Sequence, residues 1–176
     1  MVKRYGEEVA YNKGFKVYAT VLSADQRAAQ EALRDNLIAY DRRHDWRGAE
    51  KLWTGNNAWD EEKIIEHLSK LPNSEPFTGV VVTEVNKNSY TIMLPNGDKA
   101  ELKKNNASFG KLIKLNAGEQ IWVRQGKDKE WNLGQVPAVN SALVSLNSDN
   151  GAIEAIVGGF SFEQSRFNRA TQSLVQ

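Results

Sequence analysis

Residues 142–176 read ALVSLNSDNGAIEAIVGGFSFEQSRFNRATQSLVQ, and their reading decides the fold. Two short apolar stretches flank the turn Ser148-Asp149-Asn150-Gly151, which is the signature of a hairpin. Gly158-Gly159 follows, and then Phe160-x-Phe162-x-x-Ser165-x-Phe167-Asn168-Arg169-Ala170-Thr171-Gln172. A lone two-stranded hairpin is marginal in water. The stretch 142–157 therefore expects a larger sheet, an edge partner in residues 15–21, or a second copy of the chain.

Upstream, Phe15, Val17, Ala19 and Val21 alternate with Lys16, Tyr18 and Thr20, the period of a half-buried strand. Ser23, with Gln26 three residues on, reads as a capping box. Ala29, Leu33, Leu37 and Tyr40 then recur at helical spacing, which predicts a helix over 24–42. Ile64, Ile65 and Leu68 predict a second helix over 60–71, ended by Pro72 and the segment Asn73-Ser74-Glu75-Pro76. From Phe77 the period becomes two. Strands are expected at 78–84, 90–94, 99–102, 120–125 and 131–136. Asn96-Gly97 and the stretch Gly126 to Glu130 supply two of the turns. Five short strands in about 60 residues suggest a small closed or half-closed barrel of the OB type, closed off by Pro137.

The chain has 176 residues, enough to bury a core without staples. Charged residues make up 26%, and 23 basic side chains nearly balance 22 acidic ones. The resulting net charge of +1 disfavours a nucleic-acid binder, which usually carries a clear basic excess. There is no cysteine, so disulfides, thiolate metal sites and a cysteine nucleophile are excluded for this segment. No apolar run approaches the 18 residues of a membrane span. No cofactor motif is present. His44 and His67 are the only histidines, and no carboxylate set accompanies them, so no metal is expected; His67 reads as a solvated side chain.

Ser108-Phe109-Gly110-Lys111 matches Ser-x-x-Lys, but in a polar loop and with no Lys-Thr-Gly or Ser-x-Asn to support it. It reads as a loop serine, and no catalytic residue is assigned. Glu61 and Glu62 answer to the dipole at a helix start. Arg42, Arg43, Arg47 and Lys51, interleaved with Tyr40, Trp46 and Trp53, read as cations and aromatics closing a helix C-terminus. Trp122, Arg124 and Trp131 stand out within the barrel, because interface centres favour tryptophan and arginine. The hairpin across Gly126–Glu130 is expected to bring these three near one another.

The order of strand and helix, barrel, then hairpin resembles the opening of the transpeptidase domain in class A (bifunctional) penicillin-binding proteins of the 1A type. The resemblance is closest over 136–176, and it extends to Val17-x-x-Thr20-Val21 through Leu33. Asp45 and Ala49 depart from the family's usual glycine and proline, which implies a locally different loop. The resemblance implies an α+β fold. In it a small OB-like β-barrel is inserted between the opening strand and helix and the first β-hairpin of a transpeptidase fold. The segments would be 1–75, 76–137 and 138–176. The last stops before the family's nucleophilic serine, so the fragment would be inactive. Asn168 and Arg169 would support the wall of the active site without touching substrate. The implied parent makes and cross-links peptidoglycan in the periplasm, anchored in the inner membrane of a Gram-negative bacterium. The barrel would be a spacer or a docking site for a regulator, an outer-membrane lipoprotein activator being the expected partner, with Trp122, Arg124 and Trp131 as anchors. The rival reading is a free OB-fold module that binds single-stranded nucleic acid, which the net charge and the tail oppose.

Overall fold

The computed structural model describes residues 2–174. The expected segment 138–176 therefore ends in two residues that lie outside the described ones. The helices are α1 (Val2–Tyr5), α2 (Glu7–Asn12), α3 (Ser23–Asp41), α4 (Glu61–Ser69) and α5 (Arg169–Gln172). The strands run β1 (Glu50–Lys51), β2 (Thr78–Val85), β3 (Ser89–Met93), β4 (Lys99–Lys103), β5 (Ser108–Phe109) and β6 (Lys111–Leu112). They continue with β7 (Glu119–Gln125), β8 (Trp131–Gly134), β9 (Leu143–Leu146) and β10 (Ile153–Val157).

The main sheet has the order β1-β7-β2-β3-β4, with β8 also on β7. All its pairings are antiparallel. Its curvature encloses Val80, Val82, Tyr90, Ile92, Leu102, Leu115, Ile121, Val123 and Leu133. The consecutive valines 80, 81 and 82 are all fully buried. Val80 and Val82 face the barrel interior, while Val81 faces the other way, under Ile64 and Leu68 of α4. A strand covered on both faces reads as an unbroken apolar run. Lys99 of β4 ties to Glu61 of α4 at 2.8 Å, and that hydrogen bond raises the lysine's pKa.

The barrel is not closed by a backbone ladder: β4 and β8 share no pairing. Side chains bridge the seam instead. Lys103 of β4 pairs with Glu130, and the Asn106 amide donates to Glu130 (3.0 Å) and to the Trp131 carbonyl (3.2 Å). The pairing lowers the pKa of Glu130 and raises that of Lys103. The sheet also reaches beyond the expected limits of 76–137. β1 joins it through Glu50↔Gln120 and Lys51↔Glu119, and Trp46 and Ala49 pack on its core.

α3 lies between the barrel and the hairpin β9–β10. Ala29, Leu33, Leu37 and Ile38 pack with Phe77, Ala155, Val157 and Phe160, and Trp122 joins from the barrel side. Because α3 is clasped on two sides, its buried stripe takes in Ile38 and Asp41, and the expected Tyr40 is exposed. The expected capping box does not form. Leu22 is the N-cap residue, without a side-chain cap bond. Gln26 works elsewhere: its amide N–H donates to the Ile156 carbonyl (2.8 Å) and its oxygen accepts from the Ile156 amide (2.9 Å). One side-chain amide thus stands in for a peptide of a neighbouring strand.

Residues 15–21 are not a strand. Val17 and Tyr18 are largely exposed, and Phe15 stacks on Tyr5. A strand exists only where a neighbour supplies hydrogen bonds, and this segment reaches β10 only at its end. There the Thr20 hydroxyl donates to the Ile153 carbonyl, and the Leu22 amide to the Glu154 carbonyl. Those two bonds and Gln26 cover one edge of the hairpin expected to be orphaned. His67 is only partly exposed: it meets Trp59 edge-on, and its Nε2 is buried without a hydrogen-bond partner.

Candidate docking site

The three residues expected to anchor a partner do not share a face. In β7, Ile121 and Val123 point into the barrel, so Trp122 and Arg124 point out of it. The register pairs Trp122 with Gly134, Arg124 with Asn132, and Gln125 with Trp131. Trp131 therefore shares the inward side and packs against the barrel core, while Trp122 packs on the α3 cluster. Arg124 is the one of the three that is exposed. Its single ion pair, with Asp35 of α3, is long at 3.8 Å and open to water.

Arg124 borders a cleft between the last turn of α3 and β8, lined by residues from both faces of that strand. Ile38, Phe77, Phe109 and Leu133 form its apolar floor, and all four are buried. Gly134 makes the close packing there: a Cβ at that position would stand 2.3 Å from the Phe77 ring. The polar wall is Asp41 and Gln135. Arg47 grips the Asp41 carboxylate with two nitrogens, at 2.8 and 3.2 Å, and donates to the Val136 carbonyl. The Gln135 amide donates to Asp41 at 2.7 Å, and its oxygen accepts from the Arg47 backbone amide at 3.0 Å. This network joins the end of α3, the loop that leaves it, and the exit from β8. The cations expected at the helix C-terminus are thus partly explained: Arg47 neutralises Asp41, and Arg43 lies over the Tyr40 ring.

A second set of bonds ties the entry of the barrel to the segment after Gly159. The Asn73 amide donates to Glu163 (2.7 Å), the Ser161 hydroxyl to the Asn73 carbonyl (2.6 Å), and the Gln164 amide to the Ser74 hydroxyl (2.7 Å). Arg34 bridges Glu75 and the Phe160 carbonyl, and Phe160 stacks on Phe77. Further along, Asn168 caps α5 by accepting from the Ala170 amide and packs on Gly158, where a Cβ would meet it at 2.4 Å. The Arg169 amide donates to the Gly158 carbonyl. Both residues therefore shape the turn after β10. Ser108 lies in the two-residue hairpin β5–β6 opposite Leu112, with Lys111 exposed opposite Phe109.

Sequence reasoning missed Asp41, Gln135 and Phe109 as parts of the cleft. A lone aspartate in a charged helix end carries no mark of burial. Only the Arg47 spacing of six residues hinted at its partner.

The family Penicillin-binding protein OB-like domain matches residues 46–139, which begin where Trp46 and β1 join the barrel. Over the whole chain, the sequence is 57% identical to Penicillin-binding protein 1A of Haemophilus influenzae, covering 100% of this chain and 21% of that protein. It is 44% identical to Penicillin-binding protein 1A of Escherichia coli, covering 100% of this chain and 22% of that protein. The 2.6 Å crystal structure of the Haemophilus influenzae protein superposes with a TM-score of 0.93 over 100% of this chain and 27% of that chain. The chain spans about a fifth of the length of these curated relatives. A curved antiparallel sheet starting at β1, its seam bridged by side chains, and a family match over that same stretch lead to one assignment: this chain belongs to the penicillin-binding protein OB-like domain family.

Proposed function

We propose that the chain is the part of a class A peptidoglycan synthase in which the OB-like barrel is inserted between the opening elements of the transpeptidase domain. The single observation that carries this is similarity over the full chain, at 57% identity, to a Penicillin-binding protein 1A. The parent would polymerise glycan strands and cross-link their peptides through an acyl-enzyme serine. It would work in the periplasm, anchored in the inner membrane. No helix among the described residues is long and apolar enough to cross a membrane. The chain itself carries out neither reaction. Ser108 sits in a two-residue strand rather than on a helix beside its lysine, and fluorescent penicillin should leave no label on the chain. A labelled band that disappears in Ser108→Ala would contradict this.

The barrel serves as a docking module for a protein regulator, an outer-membrane lipoprotein activator. Its core-facing side chains are committed to packing, while Arg124, held only by the long contact to Asp35, is exposed at the mouth of an apolar-floored cleft. Titration of the activator into the chain by calorimetry tests this. Arg124→Ala should weaken binding about tenfold or more, as truncating an interface anchor does. No binding by the folded wild-type chain would leave the barrel as a spacer.

A further inference from the structure

We infer that Asn150, at the tip of the hairpin β9–β10, is a site of spontaneous covalent modification, converting to aspartate and isoaspartate through a cyclic imide. The chain holds two Asn-Gly pairs, Asn96-Gly97 and Asn150-Gly151. In such a pair the glycine nitrogen reaches the asparagine side-chain carbonyl carbon readily, because no Cβ shields it. A bond forms between the glycine nitrogen and Cγ, the Cγ–Nδ2 bond breaks, and Nδ2 leaves as ammonia with the proton of the glycine amide. Water then opens the five-membered imide at either carbonyl, which gives aspartate or isoaspartate. Water is the only co-reactant.

The two pairs differ in what holds them. The Asn150 side-chain oxygen accepts from the Ala152 amide at 2.9 Å, a donor placed to carry the negative charge that develops on that oxygen as the new bond forms. Its Nδ2, the leaving nitrogen, has no hydrogen-bond partner among the described residues. Ser148 to Gly151 are all exposed, and a Cβ at Gly151 would meet nothing within 4 Å. The bond that must open, from the Gly151 amide to the Asn147 carbonyl at 2.8 Å, therefore lies in an exposed tip, where local opening costs least. Asn96 is fixed at both ends by Asp98: its Oδ1 accepts from the Asp98 amide at 3.1 Å, and its Nδ2 donates to the Asp98 carboxylate at 2.6 Å. The Gly97 amide donates to the Leu94 carbonyl at 2.9 Å, and a Cβ on Gly97 would stand 3.0 Å from Ile65 of α4. Opening that turn also breaks its contact with α4. Conversion at Asn150 puts a carboxylate beside Asp149 and takes the net charge from +1 to 0. The isoaspartate form also adds a methylene to the backbone of the tip, where the Asn147 side chain accepts from the Asp149 and Asn150 amides.

The test incubates the full folded chain in warm, mildly alkaline buffer and follows it by peptide mass spectrometry, with electron-transfer fragmentation to separate isoaspartate from aspartate. Asn150 should gain the mass of an amide-to-acid conversion, mostly as isoaspartate, at least about tenfold faster than Asn96. The rate should rise with pH, because the glycine nitrogen attacks once its proton is lost. In urea the two sites should convert at similar rates, since neither turn then holds its asparagine. Asn150→Gln should stop the conversion at that position, because the longer side chain would have to close a six-membered ring, and the more acidic species on ion exchange should vanish with it. Equal rates at Asn96 and Asn150 in the folded chain, conversion at Asn96 alone, or no conversion at Asn150 under conditions in which the urea-unfolded chain converts would overturn the inference.

Discussion

Asp41 lies buried at the end of α3 with both carboxylate oxygens engaged, by Arg47 on one side and the Gln135 amide on the other. Hydrogen bonds to a charged group contribute more than neutral ones, and a donor left unpaired costs its desolvation. Asp41→Asn should therefore lower stability by about 2 kcal/mol. Urea denaturation should show a lower midpoint with an unchanged slope. Gly118 has φ +89°, and a Cβ there would stand 2.5 Å from the Trp53 carbonyl oxygen, a backbone atom that cannot swing aside. Gly118→Ala should cost about 1–3 kcal/mol, from left-handed strain before any repacking. A thermal midpoint equal to that of the wild type would contradict the close approach. Trp131→Ala should cost about 3 kcal/mol, because it removes a ring packed on the barrel core. Loss of binding in that variant would not identify an interface. Arg124 is the better probe, since its exposed ion pair contributes little to stability.

Two elements are finished by side chains where backbone pairing stops. β10 has its outer edge satisfied by Gln26 at Ile156. Gln26→Ala should open that peptide, and amide exchange at Ile156 should rise about tenfold or more, the factor expected from losing about 1.4 kcal/mol of hydrogen bonding. Unchanged exchange at Ile156 would show that the helix N-terminus, not the amide, covers the edge. The barrel seam is finished by Lys103 and Glu130, with the Glu130 pKa lowered chiefly by the Lys103 hydrogen bond. A depressed carboxylate contributes stability above its ordinary pKa and loses it as pH falls through the lowered value. The raised Lys103 contributes below its ordinary pKa and loses it as pH rises through the raised value. The seam is thus fully paired across neutral pH and weakens in both directions. Lys103→Met should flatten the acid side of the stability profile, as measured by urea midpoints against pH. These closures are hard to see in a sequence. The strands and the Asn96-Gly97 turn were legible because they depend on neighbours in the chain. Residues 15–21 alternate like a strand and are not one, because pairing depends on a partner that alternation cannot supply. Likewise nothing near His67 in sequence signals that Trp59, eight residues away, meets its ring edge-on and leaves it only partly exposed.

At the scale of the whole molecule, two sets of bonds fasten the barrel, one to the end of α3 and one to the segment after Gly159. One is the Asp41, Arg47 and Gln135 network at its exit. The other joins Asn73, Ser74 and Glu75 at its entry to Phe160, Ser161, Glu163 and Gln164. The α+β class and the barrel were legible from the change of period at Phe77 and its end near Pro137. The cleft was not, because it is assembled from α3, β5, β7 and β8, and sequence spacing cannot show which faces of four elements meet. For the same reason the hairpin across Gly126–Glu130 brings Trp122 and Trp131 onto paired strands but not onto one face, because the pleat sends them to opposite sides of the sheet. The measurement that tests the docking account most directly is amide hydrogen exchange on the chain alone and saturated with the activator. The account predicts protection gained at the last turn of α3, Ile38 to Arg42, and along β8 from Asn132 to Gln135, with β3, β4 and α4 unchanged. Protection confined to α4 or to β3 and β4, or none anywhere in a chain shown to bind, would contradict it.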